Sequence, residues 1–299
     1  MIPALLRRAV VALALAALPA AAAEPDPAPD PAPGHAPGHA PERVIAIGGS
    51  VTEIVFALGA GDRLVGRDST STFPEAARAL PDFGYMRALS PEGVLAVGPD
   101  LILADADAGP PEAVAAIEAS GAAFVRLPSE RSAEGVAARI RTVAAALDQA
   151  EAGAALAAEV EDEIRAAAAR GAAEPTPRRA IFLLSVEGGR LMAAGADTGA
   201  DAMLRLAGAE NALGGFKGYK PVSAEAVLGA APEVVVMMDR GGDHGTTPEA
   251  LFALPGLVGT PAAERRALVR MDGLFLLGFG PRTGAAVTAL HDAIYPEEG

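Results

Sequence analysis

The chain has 299 residues, 51% of them hydrophobic and 21% charged, with no cysteine, no tryptophan, 3 tyrosines and a formal charge of −14. This is the composition of a soluble globular protein long enough for two lobes. It excludes disulfide scaffolds, thiolate metal sites, cysteine nucleophiles and a lipid-modified N-terminal cysteine. The acidic balance makes nucleic acid and anionic lipid surfaces poor partners.

Arg7 and Arg8 precede an apolar run over residues 9–18, Pro19 breaks it, and Ala21-Ala22-Ala23 supplies small residues before Glu24. That order predicts a cleaved secretory leader over residues 1–23, whose loss removes two arginines and no acid and moves the charge to −16. The apolar run is about half the roughly 20 residues of a membrane-spanning helix. Residues 24–41 carry seven prolines and a repeated Pro-Gly-His-Ala, the pattern of an extended linker in which His35 and His39 read as solvated.

From Glu42 the pattern turns to alternating strands and helices. Residues 43–47 form an apolar strand, Gly48-Gly49 a turn, and Ser50 with Glu53 a capping box opening a helix that ends at Gly59. The glycine spacing is neither G-x-G-x-x-G nor a Walker sequence, which favours a plain turn over a nucleotide site. Further apolar strands are expected at 101–104, 123–127, 180–185, 234–238 and 268–271, mostly separated by helices, which argues for two mainly parallel sheets.

An internal repeat organises the chain. Residues 89–103, LSPEGVLAVGPDLIL, match residues 222–236, VSAEAVLGAAPEVVV, at an offset of 133 residues. In each copy a serine (Ser90, Ser223) caps a short helix, proline with Asp100 or Glu233 stops it, and the apolar run enters a sheet. Between the copies, Asp148 is placed to cap a helix over residues 149–170, about 33 Å long and able to bridge two lobes.

The leader, the paired Ser-x-Glu-x-x-Leu-x-x-x-Pro-acid repeats and the helical bridge resemble the periplasmic substrate-binding proteins of ATP-driven importers for cobalamin, ferric siderophores and haem, over residues 43–296. GGSVTE at 48–53, GYMRALSPEG at 84–93 and LGFGPR at 277–282 are similar to the haem-binding branch. The resemblance implies an α/β fold of two pseudo-symmetric lobes with mainly parallel central sheets, residues 42–147 and 172–299, joined by a long bridging helix at 148–171. It implies a monomeric periplasmic protein, not lipid-anchored and not an enzyme, that takes ferric haem as transported ligand in the inter-lobe cleft. Its partners would be an inner-membrane permease with its ATPase and, upstream, an outer-membrane haem receptor.

The resemblance also assigns residues. Tyr85 occupies the position of the axial iron ligand, and a phenolate is a hard anionic oxygen suited to ferric iron in a chain without thiolates. Tyr219 holds the corresponding stretch of the second lobe and would stack on or hydrogen-bond the porphyrin, a packed surface tyrosine being the alternative. Arg240 follows the strand at 234–238, where ligands bind in open α/β sheets, and would pair with the phenolate or a propionate unless it is a solvated loop residue. Arg67 and Arg282 are further propionate candidates. Glu92 and Glu225, one per repeat, would dock onto permease arginines, though each is also an ordinary acid at a helix N-terminus. His244 is a conceivable second axial contact, and His291 reads as a surface or helix-face residue. A cobalamin or ferric-siderophore carrier of the same fold remains open, as does an exported α/β hydrolase, although the chain holds no G-x-S-x-G and no H-E-x-x-H.

Overall fold

A computed structural model describes residues 40–239 and 246–296, so the leader, nearly all of the linker, Arg240 and His244 lie outside the described residues. Pro41 is already buried.

The first lobe runs β1 (Val44–Ile47), α1 (Gly49–Ala57), β2 (Leu64–Arg67), α2 (Pro91–Leu95), β3 (Leu101–Ala104), α3 (Pro111–Glu118), β4 (Ala123–Arg126) and α4 (Ala133–Ala146). Its sheet has the order β2-β1-β3-β4 with every pairing parallel. Helices cover both faces, so every side chain of β1 and β3 is buried, which is why these strands read as unbroken apolar runs. The expected capping box fails. α1 starts at Gly49 with Gly48 at the cap in a positive-φ turn (111°), while Ser50 and Glu53 are drawn to partners far along the chain.

α5 (Ala150–Ala172) is the bridge. Gln149, not Asp148, stands at its cap, and Asp148 instead takes φ 59° in the turn after α4, where it closes one helix rather than opening the next. The bridge is seated in both lobes by missing side chains. A Cβ at Gly153 would lie 2.1 Å from the Ala144 Cβ of α4, and one at Gly171 would lie 2.6 Å from the backbone nitrogen of Gly208.

The second lobe continues β5 (Arg179–Glu187), β6 (Arg190–Ala194), α6 (Gly199–Leu206), β7 (Glu210–Asn211), β8 (Tyr219–Val222), α7 (Ala224–Ala230), β9 (Val234–Asp239), α8 (Pro248–Phe252), α9 (Pro261–Arg265), β10 (Leu268–Asp272), α10 (Gly273–Leu277) and α11 (Thr283–Ile294). Its sheet, β10-β9-β5-β6-β8 with β7 beside β5, is mixed: β6 pairs antiparallel with both neighbours, and the remaining pairings are parallel. α11 packs on the bridge, a Cβ at its Gly284 falling 2.9 Å from that of Glu163. His291 on α11 is buried rather than superficial, with Nδ1 3.0 Å from the Ala207 carbonyl and Nε2 3.6 Å from Glu174.

The repeat has a structural meaning in both lobes. Ser90 Oγ accepts from Gly93 N at 3.4 Å and Ser223 Oγ from Ala226 N at 3.2 Å, each capping its short helix. The acids that end the repeats tie strand entries together. Asp100 accepts from the amides of Glu42 and Arg43, and its own amide donates to the Arg43 carbonyl. Glu233 repeats this with Arg179 in both directions, at 2.9 and 2.7 Å. Ser223→Ala should therefore cost about 1 kcal/mol, read in a urea titration, and an unchanged midpoint would deny the cap its role.

Candidate functional site

The first-lobe part of the site is built from loops at the carboxyl ends of β2, β3 and β4, where open α/β sheets present ligand-binding residues. After β2, Asp68 is 1% exposed and its carboxylate accepts from Gly48 N (2.8 Å), Thr70 N (2.9 Å) and Ser71 Oγ (2.8 Å), fixing the loop after β2 onto the turn after β1. Against this base hangs the segment containing Tyr85. Ser69 N donates to the Gly84 carbonyl, Gly109 N to the Met86 carbonyl and Leu89 N to the Gly109 carbonyl. Met86 and Leu89 are buried anchors. Gly84 takes φ 90° with open space around it, so glycine is required by backbone conformation, and the turn it makes leaves Tyr85 45% exposed between the anchors.

The Tyr85 hydroxyl accepts a hydrogen bond from Arg87 Nη1 at 3.0 Å. Arg87 Nη2 is held by Asp107 at 2.8 Å, and the same carboxylate oxygen lies 3.4 Å from Arg131 Nη2. Burial opposes the Arg87 charge, but its bonds to Tyr85 and Asp107 outweigh that and hold its pKa above the ordinary value. Arg131, from the loop after β4, reaches the other lobe: its Nε lies 3.7 Å from where a Cβ on Gly199, the first residue of α6, would stand.

Across from these groups sits Tyr219 at the start of β8. Like Tyr85 it follows a positive-φ glycine, Gly218 at 77°, and it is 38% exposed. Its ring meets Phe182 edge-on at 6.4 Å. Burial pushes its hydroxyl pKa up, partly offset by hydrogen bonds with the Ala200 backbone and the Thr198 side chain and by the Arg131 and Arg87 charges. The two Gly-Tyr turns thus belong to opposite lobes, with two arginines and one carboxylate between them.

The other candidates stand elsewhere. Arg67 points away, its guanidinium donating to the Ala77 and Asp68 carbonyls and to Asp82 at 3.0 Å, and so pins the loop before Tyr85. Arg282 is bound by both carboxylate oxygens of Glu53, its Nε at 3.0 Å. Glu92 and Glu225 are exposed in the first turns of α2 and α7, with the Glu225 pKa lowered by its own backbone amide and by Ser223. A groove at the opposite edge of the second sheet is lined by Arg178, Glu233, Arg265 and Arg266. Its arginines are taken by the Ile294 carbonyl, Glu233 and Glu249 respectively. Among the described residues no cluster of His, Asp and Glu is placed to hold a metal ion.

Burial raises the Glu53 pKa, with Arg282 pulling the other way. A carboxyl whose folded pKa lies above its unfolded value contributes stability at low pH and loses it as pH rises through the folded pKa. The stability of Glu53→Gln relative to wild type should therefore increase between about pH 4.5 and neutrality, followed by urea unfolding at each pH. A flat difference would contradict the raised pKa.

Arg87, Asp107 and Arg131 were not singled out as site residues by the sequence, because three separate loops contribute them. The doubled Gly-Tyr, 134 residues apart, was the available signal for the tyrosines.

The profile of the family described as periplasmic binding protein matches residues 44–273. Among solved structures, the chain is similar to the periplasmic heme-binding protein BhuT in complex with two hemes, at 46% identity and a TM-score of 0.80 over 84% of this chain and 97% of that one. It is also similar to the periplasmic heme-binding protein RhuT from Roseiflexus sp. RS-1 in apo form, at 40% identity and 0.81 over 85% and 98%. Among curated proteins it is 22% identical over 259 residues, 86% of this chain and 81% of the relative, to the uncharacterized ABC transporter substrate-binding lipoprotein YvrC of Bacillus subtilis. A vitamin B12-binding protein of Yersinia pestis is 43% identical over 63 residues only, 21% of this chain and 22% of that protein.

Proposed function

We propose that this chain, which belongs to the periplasmic binding protein family, carries ferric haem as cargo between its lobes and hands it to an inner-membrane ATP-driven importer. The carrying observation is the Tyr85 hydroxyl, exposed at the junction of the lobes and bonded to a guanidinium at 3.0 Å. Ferric iron prefers an anionic oxygen, and a charged donor on that oxygen stabilises the anion. Tyr219 offers a second ring on the facing lobe. Arg131 and Arg87 supply positive charge for the propionates, with Arg240, just beyond the end of β9, as a further candidate. Similarity to two periplasmic heme-binding proteins, BhuT and RhuT, supports haem over the other cargoes of the group. Cobalamin would call on more aromatic wall than three tyrosines and no tryptophan supply.

The full chain, exported and processed, should give a saturable Soret change on titration with hemin, and the titration also reads the stoichiometry. No change would end the haem reading. Residues 1–23 serve in this reading as the export leader, and Glu92 and Glu225 as the acids that meet basic permease loops, one from each lobe. Glu92→Ala with Glu225→Ala should abolish importer-dependent haem uptake while leaving the hemin affinity within about twofold, since both acids are exposed and bond nothing in the site. Loss of hemin affinity instead would move these acids from docking to binding.

A further inference from the structure

The contact between Glu53 and Arg282 joins residues 229 apart in sequence, one from each lobe. Among the described residues it is the ion pair that links the two lobes directly; the bridge makes its own pairs to each lobe separately, Arg165 to Glu134 and Arg170 to Asp292. Glu53 is 6% exposed, and both its oxygens are used by one guanidinium. Two aromatic rings also lie close to that guanidinium. Its carbon lies 3.7 Å from the ring centre of Phe73 in the first lobe and 5.1 Å from that of Phe275 in the second. The surroundings leave no slack: a Cβ at Gly280 would sit 3.2 Å from the Ser50 Cβ and 3.5 Å from Glu53 Oε2, and one at Gly49 would overlap Leu274. Phe73 remains 43% exposed, so the clamp reaches the surface.

A planar, bidentate pair with two rings against it is far more restricted in geometry than a pair of flexible surface charges. It therefore fixes an angle as well as a distance. Other contacts cross between the lobes, Leu274 on Gly49 and Arg131 beside Gly199 among them, but the clamp is the ion pair that does so, and with the rigid helix it bears on how far Tyr85 stands from Tyr219. We propose that the Glu53–Arg282 pair, gripped by Phe73 and Phe275, is a positioning element that sets the aperture between the lobes and thereby the rate at which cargo leaves. The rate half of this rests on the cargo reading above; the aperture half does not.

The absence of native cysteine makes the test clean. Spin labels on Ala116→Cys (α3) and Glu264→Cys (α9), both exposed positions, report the lobe separation in the full chain without any ligand. Arg282→Gln should broaden and shift the distance distribution, and Phe73→Ala, a substitution at an exposed ring that leaves the core intact, should do so to a smaller degree. Stopped-flow transfer of hemin to an acceptor should show dissociation faster by about tenfold in Arg282→Gln with association within about threefold. A residue that merely touched the cargo would change the hemin rates without altering the ligand-free distances. Wild-type distributions in both variants, or altered distributions with hemin leaving at the wild-type rate, overturn the proposal. If wild type does not bind hemin, the cargo reading fails, and the ligand-free distances still decide whether the clamp sets the aperture.

Discussion

Tyr85→Phe should weaken hemin binding by about 30- to 1000-fold, the effect of about 2–4 kcal/mol at a central contact, and should replace the phenolate-type ferric spectrum. The substitution removes one oxygen from a ring that is 45% exposed, so it leaves the fold alone and isolates the ligand. Arg87 then loses its bond to Tyr85 but keeps Asp107 at 2.8 Å, so the loop after β3 stays in place. The companion variant Arg87→Leu keeps the phenol and removes its charged donor. It should retain a tyrosine-ligated spectrum but bind hemin more weakly than wild type, because the anion has lost its charged hydrogen-bond donor. A Tyr85→Phe protein with the wild-type spectrum and affinity would remove Tyr85 from the iron, and the search for the ligand would move to Tyr219 or to the residues following β9.

The parts of this architecture visible in the sequence are those where one physical demand dominates. β1, β3 and much of β5 and β9 are covered on both faces, and the partly buried edge strands β4 and β10 still carry short apolar stretches, so these six are readable as apolar runs to within a few residues. β6 and β8 were missed because they form the antiparallel margin of the second sheet. β8 reads Tyr-Lys-Pro-Val, with a proline that only an edge strand tolerates. Local signals misled where a distant partner outbid them. Ser50 and Glu53 have the spacing of a capping box, but Arg139 and Arg282 take their side chains and Gly48 carries the start of the helix. The site shows the same division. Each tyrosine has its own glycine turn beside it, so both could be found locally, and the repeat placed them in opposite lobes. The charges that tune the site could not be found this way, because Arg87, Asp107 and Arg131 meet only once three strands have been laid side by side. Arg282 shows the converse: a residue in a recognisable motif whose guanidinium is committed to a buried carboxylate.

Arg139→Ala should give the largest loss of stability of the substitutions considered, about 3–5 kcal/mol against a total of about 5–15 for a domain of this kind. Arg139 rises from α4 into the first lobe with its side chain only 5% exposed, where Nη2 donates to Ser50 Oγ at 2.8 Å and to the Asp105 carboxylate, itself 16% exposed. Removing the guanidinium leaves the largely buried Asp105 carboxylate with the Asp107 amide and no cation, the cost of a buried charge that loses its partner. The exposed pair Arg126–Glu118, at 3.4 Å with both side chains more than two-fifths exposed, is the control: Arg126→Ala should cost less than about 1 kcal/mol. Urea unfolding of the two variants separates buried from exposed charge, and equal losses would refute the argument. The same change should reach the site. Asp105 accepts from the amide of Asp107 at 2.9 Å, and Asp107 in turn holds Arg87 against Tyr85. Arg139→Ala should therefore reproduce part of the Arg87→Leu loss of hemin affinity, although Arg139 lies four contacts away from the phenol, through Asp105, Asp107 and Arg87. A destabilised variant with wild-type hemin affinity would show that the loop after β3 holds its shape without the buried pair.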